Sequence, residues 1–418
     1  MDGPLRFRFY GASPATTVIL YLLYSTFQAQ NMDRRIHILG VGNIGKYIAY
    51  ALAGLSQTRT TPSVRLLFHR KSLVTEWEKA GCAIEYTPLD QDCCTSVKPG
   101  QTSYAHDVQI ELLYDRESQE AEAAEGPIRN LIVTTKAHNT ITALAPLRHR
   151  LDKNSHILFL QNGMGVTDEV TSALFRDPNS RPTYWTGICS AGVYSRGPFS
   201  IVHAGPGPLR FGADNDIAGS VAGGPLGSRK MHGGRRITVL EDALLKAHML
   251  RPQRLSPGEI LQAQLTKLVI NSVINPLTAL RGCKNGAVFA DEEGDRDRRI
   301  LVQEAGAIVR ELLQQSTKTS PGATLSDSEL LTAVAGVAEA TADNTSSMLQ
   351  DIRAGRPTEI DYINGYLVRK AELLNLPCQR HKELVAEIKE KEKEMAKENE
   401  EPKEDRDGGA GGNLPATL

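Results

Sequence analysis

The sequence predicts an α/β fold in its first half, built on a doubly wound parallel sheet, followed by a mostly α-helical second half. Short apolar runs alternate with helical patterns from Arg35 onward, and from about residue 259 most segments have helical spacing. At 418 residues the chain is long enough for two domains with appendages. Lys and Arg (48) nearly balance Asp and Glu (49), so we expect a small-molecule pocket, with no nucleic-acid partner.

Strands and helices alternate in order through the first half. The run RIHIL, a glycine turn, the helical pattern IGKYIAYALAGL and a second run VRLLFH predict a βαβ unit. A helix is expected at NTITALAPLRHRL (139–151). Beyond Gly163, TYWTGICSAGVYS and FSIVHAG predict strands that extend the same sheet, with antiparallel pairing left open. Other strands are expected at VQIELLY (108–114), NLIVTTK (130–136) and HILFLQN (156–162).

Four segments are expected outside the packed domains. Residues 1–31 contain the run VILYLLY, which is too short to span a membrane; the segment is either an untranslated extension upstream of Met32 or a mitochondrial presequence. Residues near 115–126 and 213–235 are polar or glycine-rich and predict surface insertions. The charged run near the C-terminus predicts a solvated helix face, with a disordered tail at 398–418.

A glycine motif follows the first predicted strand. In HILGVGNIGKYI, three glycines form G-x-G-x-x-G between a strand and a helix. The first glycine permits a tight turn, the second lets the backbone approach a pyrophosphate, and the third lets helix and strand pack closely. The pattern alone is weak, but its required context is present, and it predicts a Rossmann-type dinucleotide-binding domain at 32–258. The expected cofactor contacts are Gly40, Val41, Gly42, Asn43, Ile44 and Gly45.

The end of the second strand indicates which dinucleotide is bound. An NAD site normally places Asp or Glu there for the ribose hydroxyls, whereas this chain reads Leu67-Phe68-His69-Arg70-Lys71. Two cations suit a 2′-phosphate, so we expect NADPH, with Arg70 as a contact. The alternative is that Arg70 and Lys71 are ordinary solvated charges. The six cysteines show no C-x-x-C pair, so we expect a reducing compartment and no metal.

A polar stripe lies in the first helix of the second domain, predicted at 259–397. Within TKLVINSVINPLTAL, the residues Lys267, Asn271 and Asn275 are four apart and share one face of an apolar helix. Lys267 could extend to the surface along its aliphatic stem. Burial among aliphatic residues would instead lower the pKa of a lysine towards that of a general acid, which ketone reduction requires. The stripe alone leaves both interpretations open.

A second segment, NTSSMLQDIRAGRPTEIDYINGY (344–366), together with KLVINSVINPLTA closely resembles the ketopantoate reductase (2-dehydropantoate 2-reductase) family. The glycine motif, VTTKAH and LQNGMG match the same family in the same order, from about Arg35 to about Lys397. The two insertions, the N-terminal extension and the tail depart from the family's pattern.

The resemblance implies roles for matching residues. Lys267 would protonate the C2 oxygen of the substrate as hydride arrives from NADPH, and Glu359 would bind the substrate hydroxyl and help to place Lys267. Asn271 and Asn275 would bind substrate oxygens, and Ser347 the carboxylate. Two further residues would line the cofactor crevice, namely Lys136 and Asn162.

These roles predict a reductase that converts ketopantoate to pantoate, on the way to pantothenate and coenzyme A. We expect the cofactor at the carboxyl edge of the sheet and the active site in the cleft between the domains. The alternatives are a reductase for another branched 2-keto acid and an inactive NADP-binding regulator. We expect a cytoplasmic monomer or homodimer without membrane contacts, or a mitochondrial protein if residues 1–31 are a presequence.

Overall fold

The computed structural model describes residues 34–55, 61–91, 94–113, 126–214, 230–232, 235–316 and 325–400. These residues form two compact units. The first comprises the described residues up to Leu265 together with 313–316, and the second comprises Thr266–Leu312 and the residues from 325 onward. The predicted N-terminal extension, most of both insertions and the last residues of the tail lie outside the described residues.

The described strands all belong to the first unit. They are β1 (Ile36–Leu39), β2 (Val64–Phe68), β3 (Ile84–Pro88), β4 (Ser103–Ala105), β5 (Val108–Leu112), β6 (Asn130–Val133), β7 (His156–Phe159), β8 (Thr183–Cys189), β9 (Gly192–Gly197), β10 (Ser200–Gly205), β11 (Leu209–Ala213), β12 (Lys230–His232), β13 (Arg235–Ile237) and β14 (Gln253–Arg254).

The main sheet has eight strands in the order β14-β11-β8-β7-β6-β1-β2-β5. From β5 to β8 every neighbouring pair is parallel, which confirms the doubly wound parallel sheet. The chain leaves β1 in one direction, through β2 and β5, and then crosses back to β6 on the other side of β1. In sheets of this kind, the reversal leaves a crevice at the carboxyl ends of the two strands where it occurs, here β1 and β6.

The expectation that both later strand segments extend this sheet is partly wrong. TYWTGICSAGVYS divides into β8, which joins the main sheet parallel to β7, and β9, which does not. FSIVHAG forms β10, which pairs with β9 and with β3 in a second sheet of order β4-β3-β10-β9. Part of the glycine-rich segment forms the small β12–β13 pair.

The first unit contains the helices α1 (Asn43–Ala53), α2 (Lys71–Lys79), α3 (Thr140–Leu144), α4 (Val166–Leu174) and α5 (Val239–Lys246). Helix α1 contacts strands of both sheets, which explains why nearly all of its residues are buried. The helix predicted at 139–151 is shorter than expected, because 3₁₀ turns replace it at Ala137–Asn139 and Ala145–Arg150. Pro146 has no N–H to continue the helical ladder there.

The described residues from Pro257 onward are mostly helical, as predicted. Their helices are α6 (Pro257–Arg281), α7 (Glu292–Gln315), α8 (Asp327–Ala340), α9 (Ser347–Arg353), α10 (Asn364–Leu374) and α11 (Gln379–Glu400). Helix α6 begins in the first unit and ends in the second. None of the helices in the described part of the chain is long and apolar enough to cross a membrane.

Candidate active site

The glycine motif forms a tight turn between β1 and α1. Gly40 has a φ of +104°, a left-handed conformation that favours glycine, and an added Cβ would lie 2.6 Å from the backbone nitrogen of Thr135. A Cβ on Gly45 would overlap the carbonyl oxygen of Gly40 and approach Thr134 Oγ1 to 2.7 Å. Neither position can therefore hold a side chain without displacing backbone.

Gly42 differs from its two neighbours in the motif. Among the described residues, no atom lies within 4 Å of a Cβ added there. Gly42 is the N-cap of α1, and the first turn of the helix contains no acidic side chain. The open space therefore faces unpaired N–H groups at the positive end of a helix, an arrangement that suits a phosphate group. The turn fits a dinucleotide cofactor.

The end of β6 is joined to this turn. Thr134 Oγ1 donates a hydrogen bond of 2.7 Å to the carbonyl oxygen of Gly40. Two residues later, the carbonyl of Lys136 accepts a hydrogen bond of 3.2 Å from Thr140 Oγ1. Thr140 also receives a hydrogen bond of 3.1 Å from the side-chain amide of Gln161, which follows β7.

Lys136 and Asn162 consequently lie at the same sheet edge as the glycine turn. Both residues are half-buried. They follow β6, which neighbours β1 in the sheet, and β7, which neighbours β6, so the predicted cofactor residues of three segments lie at the ends of three successive strands.

Arg70 follows β2 at the same edge, where it is the N-cap of α2. Its guanidinium is exposed and lies 3.7 Å from the carboxylate of Glu76.

Sequence reasoning missed Lys46, whose ammonium is buried and donates a hydrogen bond of 3.1 Å to Ser195 Oγ. Burial lowers the pKa of Lys46 to about 8. Asn43, predicted to contact the cofactor, donates its side-chain amide to the carbonyl of Val193 at 3.3 Å, so it also fixes the start of α1 on β9.

The polar stripe of the second unit lies within α6. Lys267 and Asn271 are half-buried, and Asn275 is buried, with 8% of its surface exposed. Pro276 lies inside the same helix. Because proline has no N–H, the carbonyl of Ser272, four residues earlier, lacks its usual helical donor.

The segment that contains the second motif packs on α6 at two places. Near its start, the hydroxyls of Thr278 and Ser346 lie 2.7 Å apart. Ser346 is the N-cap of α9 and accepts a hydrogen bond from the N–H of Leu349, which places Ser347 as the exposed first residue of the helix. Thr278 lies on the same face of α6 as the polar stripe, since it is eleven residues, or about three turns, beyond Lys267.

The second contact joins Asn364 to the interrupted part of α6. Its side-chain amide donates a hydrogen bond of 2.8 Å to the carbonyl of Ser272. The same amide nitrogen lies 2.9 Å from Nδ1 of His381, which is in α11. Sequence reasoning missed both residues, although Pro276 in a helical pattern signals a carbonyl that requires another donor.

Glu359 lies between these two contacts and is buried, with 5% of its surface exposed. Its carbonyl accepts hydrogen bonds from the N–H groups of Tyr362 and Ile363, at 3.0 and 3.1 Å, around a 3₁₀ turn. The N–H of the preceding residue, Thr358, donates to the Glu392 carboxylate at 2.6 Å. The turn is therefore held at its first residues as well as at its end.

The charged run in α11 is thus more than a solvated face. Leu384 and Ile388 are fully buried, and Glu392 holds the turn of Glu359. Lys389 forms an ion pair with Asp361 at 2.6 Å. The helix has the expected exposed face, and its opposite face packs on the second unit, because every third or fourth residue lies on that side.

The structure gathers the predicted residues in two groups. The cofactor residues lie at one sheet edge of the first unit. In the second unit, α6, which carries the stripe, is hydrogen-bonded through Thr278 and Ser272 to the segment that carries Ser347 and Glu359. The first group presents a cradle for phosphate, and the second consists of residue types that can bind an oxygen-rich organic acid, namely a lysine, two asparagines, a serine and a glutamate.

Comparison with known proteins shows the same two parts. Residues 36–216 match the family model "Ketopantoate reductase PanE/ApbA", and residues 259–392 match "Ketopantoate reductase PanE/ApbA C terminal". The chain is 31% identical over 350 residues to a probable 2-dehydropantoate 2-reductase of Schizosaccharomyces pombe, which covers 82% of this chain and 91% of that protein.

Two other proteins are similar to this chain. A ketoisovalerate reductase of Beauveria bassiana is 26% identical, with 82% of this chain and 79% of that protein covered. The solved structure of a D-mandelate dehydrogenase with NADH and anilino(oxo)acetate aligns with a TM-score of 0.65 at 18% identity, covering 86% of this chain and 99% of that one. At this identity, the structural likeness concerns the fold.

Proposed function

Since the chain belongs to the ketopantoate reductase family, we propose that it reduces 2-dehydropantoate (ketopantoate) to pantoate with NADPH, in the cytoplasm, as a step towards pantothenate and coenzyme A. The observation that supports this most strongly is the packing of the second motif on α6. Ser346 contacts Thr278 and Asn364 contacts Ser272, so the segment that carries Ser347 and Glu359 is hydrogen-bonded to the helix that carries Lys267.

The residues that would hold the cofactor fit a dinucleotide. The open N-cap at Gly42 would accept the pyrophosphate, while Lys136 and Asn162 would line the nicotinamide side. Arg70 would bind the 2′-phosphate that distinguishes NADPH from NADH. When bound, the reduced nicotinamide supplies the hydride for the C2 carbonyl carbon.

The second unit would bind and protonate the keto acid. We assign Lys267 as the general acid that gives its proton to the C2 oxygen, which becomes an alkoxide as the carbonyl is reduced. Asn271 and Asn275 would donate hydrogen bonds to substrate oxygens, and Ser347 would hold the carboxylate. Such fixed donors stabilise the developing charge without reorganising during the reaction.

Glu359 would distinguish ketopantoate from simpler keto acids. Its carboxylate would accept a hydrogen bond from the hydroxyl at the end of the substrate and keep Lys267 protonated and in place. A site built around a substrate hydroxyl discriminates strongly against an analogue that lacks it.

A second candidate is a reductase of 2-ketoisovalerate. The similarity to the Beauveria bassiana ketoisovalerate reductase favours this alternative, because that protein covers as much of the chain as the S. pombe relative does. 2-Ketoisovalerate has the same keto-acid group and a similar branched carbon skeleton, but it lacks the hydroxyl that Glu359 would bind.

Steady-state NADPH oxidation tests the proposal, using a chain that starts at Met32 so that the dispensability of the extension is tested as well. We expect kcat/KM to be at least about 100-fold higher with ketopantoate than with 2-ketoisovalerate. Glu359→Gln should reduce this ratio mainly by lowering the rate with ketopantoate. Equal efficiency with both acids would assign the broader keto-acid activity, and NADPH binding without oxidation of NADPH by either acid would indicate a regulator.

A further inference from the structure

A proline interrupts α6 at the place where the second motif meets it. Pro276 cannot donate to the carbonyl of Ser272, and a buried carbonyl without a donor is destabilising. The side-chain amide of Asn364 donates to this carbonyl at 2.8 Å. We propose that Asn364 is a positioning residue, which fixes the turn of Glu359 relative to the Lys267 stripe through the carbonyl that Pro276 leaves available.

The amide is itself held in one orientation. Its second N–H points to Nδ1 of His381, 2.9 Å away, and Nε2 of the same ring lies 3.0 Å from the carbonyl of Leu301. The ring therefore accepts at Nδ1 and donates at Nε2, as the neutral imidazole. Asn364 and His381 are both fully buried, so bulk water does not reach either side chain. Four helices, α6, α7, α10 and α11, are thus joined through two side chains.

The turn transmits the position of Asn364 to Glu359. Only four residues separate them, and the N–H groups of Tyr362 and Ile363 donate back to the carbonyl of Glu359. On α6, Ser272 directly follows Asn271 and lies one turn before Asn275. A shift of the amide would therefore move Glu359 relative to the predicted substrate contacts on α6.

The expected effect of Asn364 on the reduction of ketopantoate rests on the proposed function. Asn364 does not itself contact substrate in this account, so its loss should change the geometry of the keto-acid site while leaving the cofactor residues of the first unit unaffected. Small displacements of substrate-binding groups can lower rates by about 100-fold.

Asn364→Ala is the first variant to measure, with Asn285→Ala as the matched control. Asn285 is also a buried asparagine of the second unit, and its amide donates to Thr341 Oγ1 at 2.9 Å. We expect Asn364→Ala to raise KM for ketopantoate and lower kcat, by about 10-fold or more in kcat/KM, with the Kd for NADPH within about twofold of wild type. Asn285→Ala should lower Tm but change neither kcat/KM for ketopantoate nor the Kd for NADPH by more than about twofold.

Pro276→Ala provides a rescue that a merely structural role would not produce. Alanine restores an N–H four residues after Ser272, so its carbonyl no longer depends on Asn364. The double variant Pro276→Ala/Asn364→Ala should therefore recover part of the kcat/KM that Asn364→Ala loses. Additive effects of the two substitutions, or kinetic changes in Asn364→Ala no larger than those in Asn285→Ala, would overturn the proposal.

Two further measurements keep the test decisive. If Asn364→Ala does not fold, Asn364→Asp retains the shape with fewer donors, and its kcat/KM should be lower than that of wild type. Amide hydrogen exchange of residues 270–280 should accelerate in the Asn364 variants but not in Asn285→Ala. Hydrogen exchange does not depend on the substrate, so unchanged exchange in the Asn364 variants would overturn the positioning role whatever the activity. Inactivity of wild type with ketopantoate would instead refute the proposed function.

Discussion

At the scale of single residues, the three glycines of the turn have different tasks. Gly45→Ala should destabilise the first unit by roughly 3 kcal/mol, because the new Cβ would overlap the carbonyl oxygen of Gly40. Gly42→Ala meets no described atom within 4 Å, so it should fold normally and weaken NADPH binding by filling the phosphate cradle. Urea unfolding monitored by tryptophan fluorescence measures the first effect, and a titration with NADPH measures the second.

These two variants control for each other. Normal stability of Gly45→Ala would contradict the close approach of α1 to the glycine turn. Unchanged NADPH affinity in Gly42→Ala would show that the cofactor does not approach the start of α1.

Arg70 is the residue that should decide between the two nicotinamide cofactors. It is exposed at the end of β2 and its nearest carboxylate, Glu76, is 3.7 Å away, so it can exchange this partner for a 2′-phosphate. Arg70→Ala should raise KM for NADPH by about 10-fold and leave KM for NADH nearly unchanged, since only NADPH has the additional phosphate.

Lys79→Ala removes another exposed cation from the far end of α2 and is the matched control. It should leave the ratio of the two KM values at its wild-type level. An Arg70→Ala enzyme that keeps its preference for NADPH would show that Arg70 is an ordinary solvated charge.

At the scale of elements, local patterns predicted more than distant contacts did. The apolar run before Gly40 and the helical spacing after it correctly predicted β1 and α1, because both signals lie within one short segment. The 25-residue helix α6 was predicted for the same reason. Its helical spacing and its polar face follow from periodicity, which a sequence displays directly.

The second sheet shows where this reasoning stops. Strands β3 and β4 were not recognised, and β9 and β10 were assigned to the main sheet. Strand β3 pairs with β10, more than 100 residues later, and no local signal states which sheet a strand will join. The sequence did contain one indication of a second sheet. The apolar residues of α1 surround the helix, so the helix requires a packing layer on each side.

For the candidate site too, local patterns predicted more than distant contacts did. The residue types and spacing placed Lys267, Asn271 and Asn275 on one face of a helix. The contact of Asn364 with Ser272 depends on a partner 92 residues away, and the contact with His381 depends on α11, whose charges suggested a solvated face. Such tertiary hydrogen bonds leave no periodic signal.

At the scale of the whole molecule, buried histidines make stability depend on pH. Burial lowers the pKa of His37 to about 3 and those of His156 and His381 to about 4, from the ordinary value of 6.5. Below pH 6.5 the unfolded chain binds protons that the folded chain does not, so folding stability falls as pH decreases from 6.5 towards 4. Each histidine should contribute up to about 1.4 kcal/mol per pH unit.

Urea unfolding at pH 7.5 and pH 5.0, followed by far-ultraviolet circular dichroism, measures this loss. His381→Gln should reduce the difference between the two pH values, because glutamine can occupy the buried position without a proton to gain. Equal stability of wild type at both pH values would contradict the burial of neutral histidines.

The central claim is that the chain is a reductase in which Lys267 supplies the proton. The most direct test is single-turnover oxidation of NADPH by ketopantoate in wild type and in Lys267→Ala, together with the Kd for NADPH. Lys284→Ala, an exposed lysine of the same unit, is the control. We predict that Lys267→Ala lowers the rate by about 100-fold or more while its Kd for NADPH and the Lys284→Ala enzyme remain near wild type. A near-normal rate in Lys267→Ala would contradict the account.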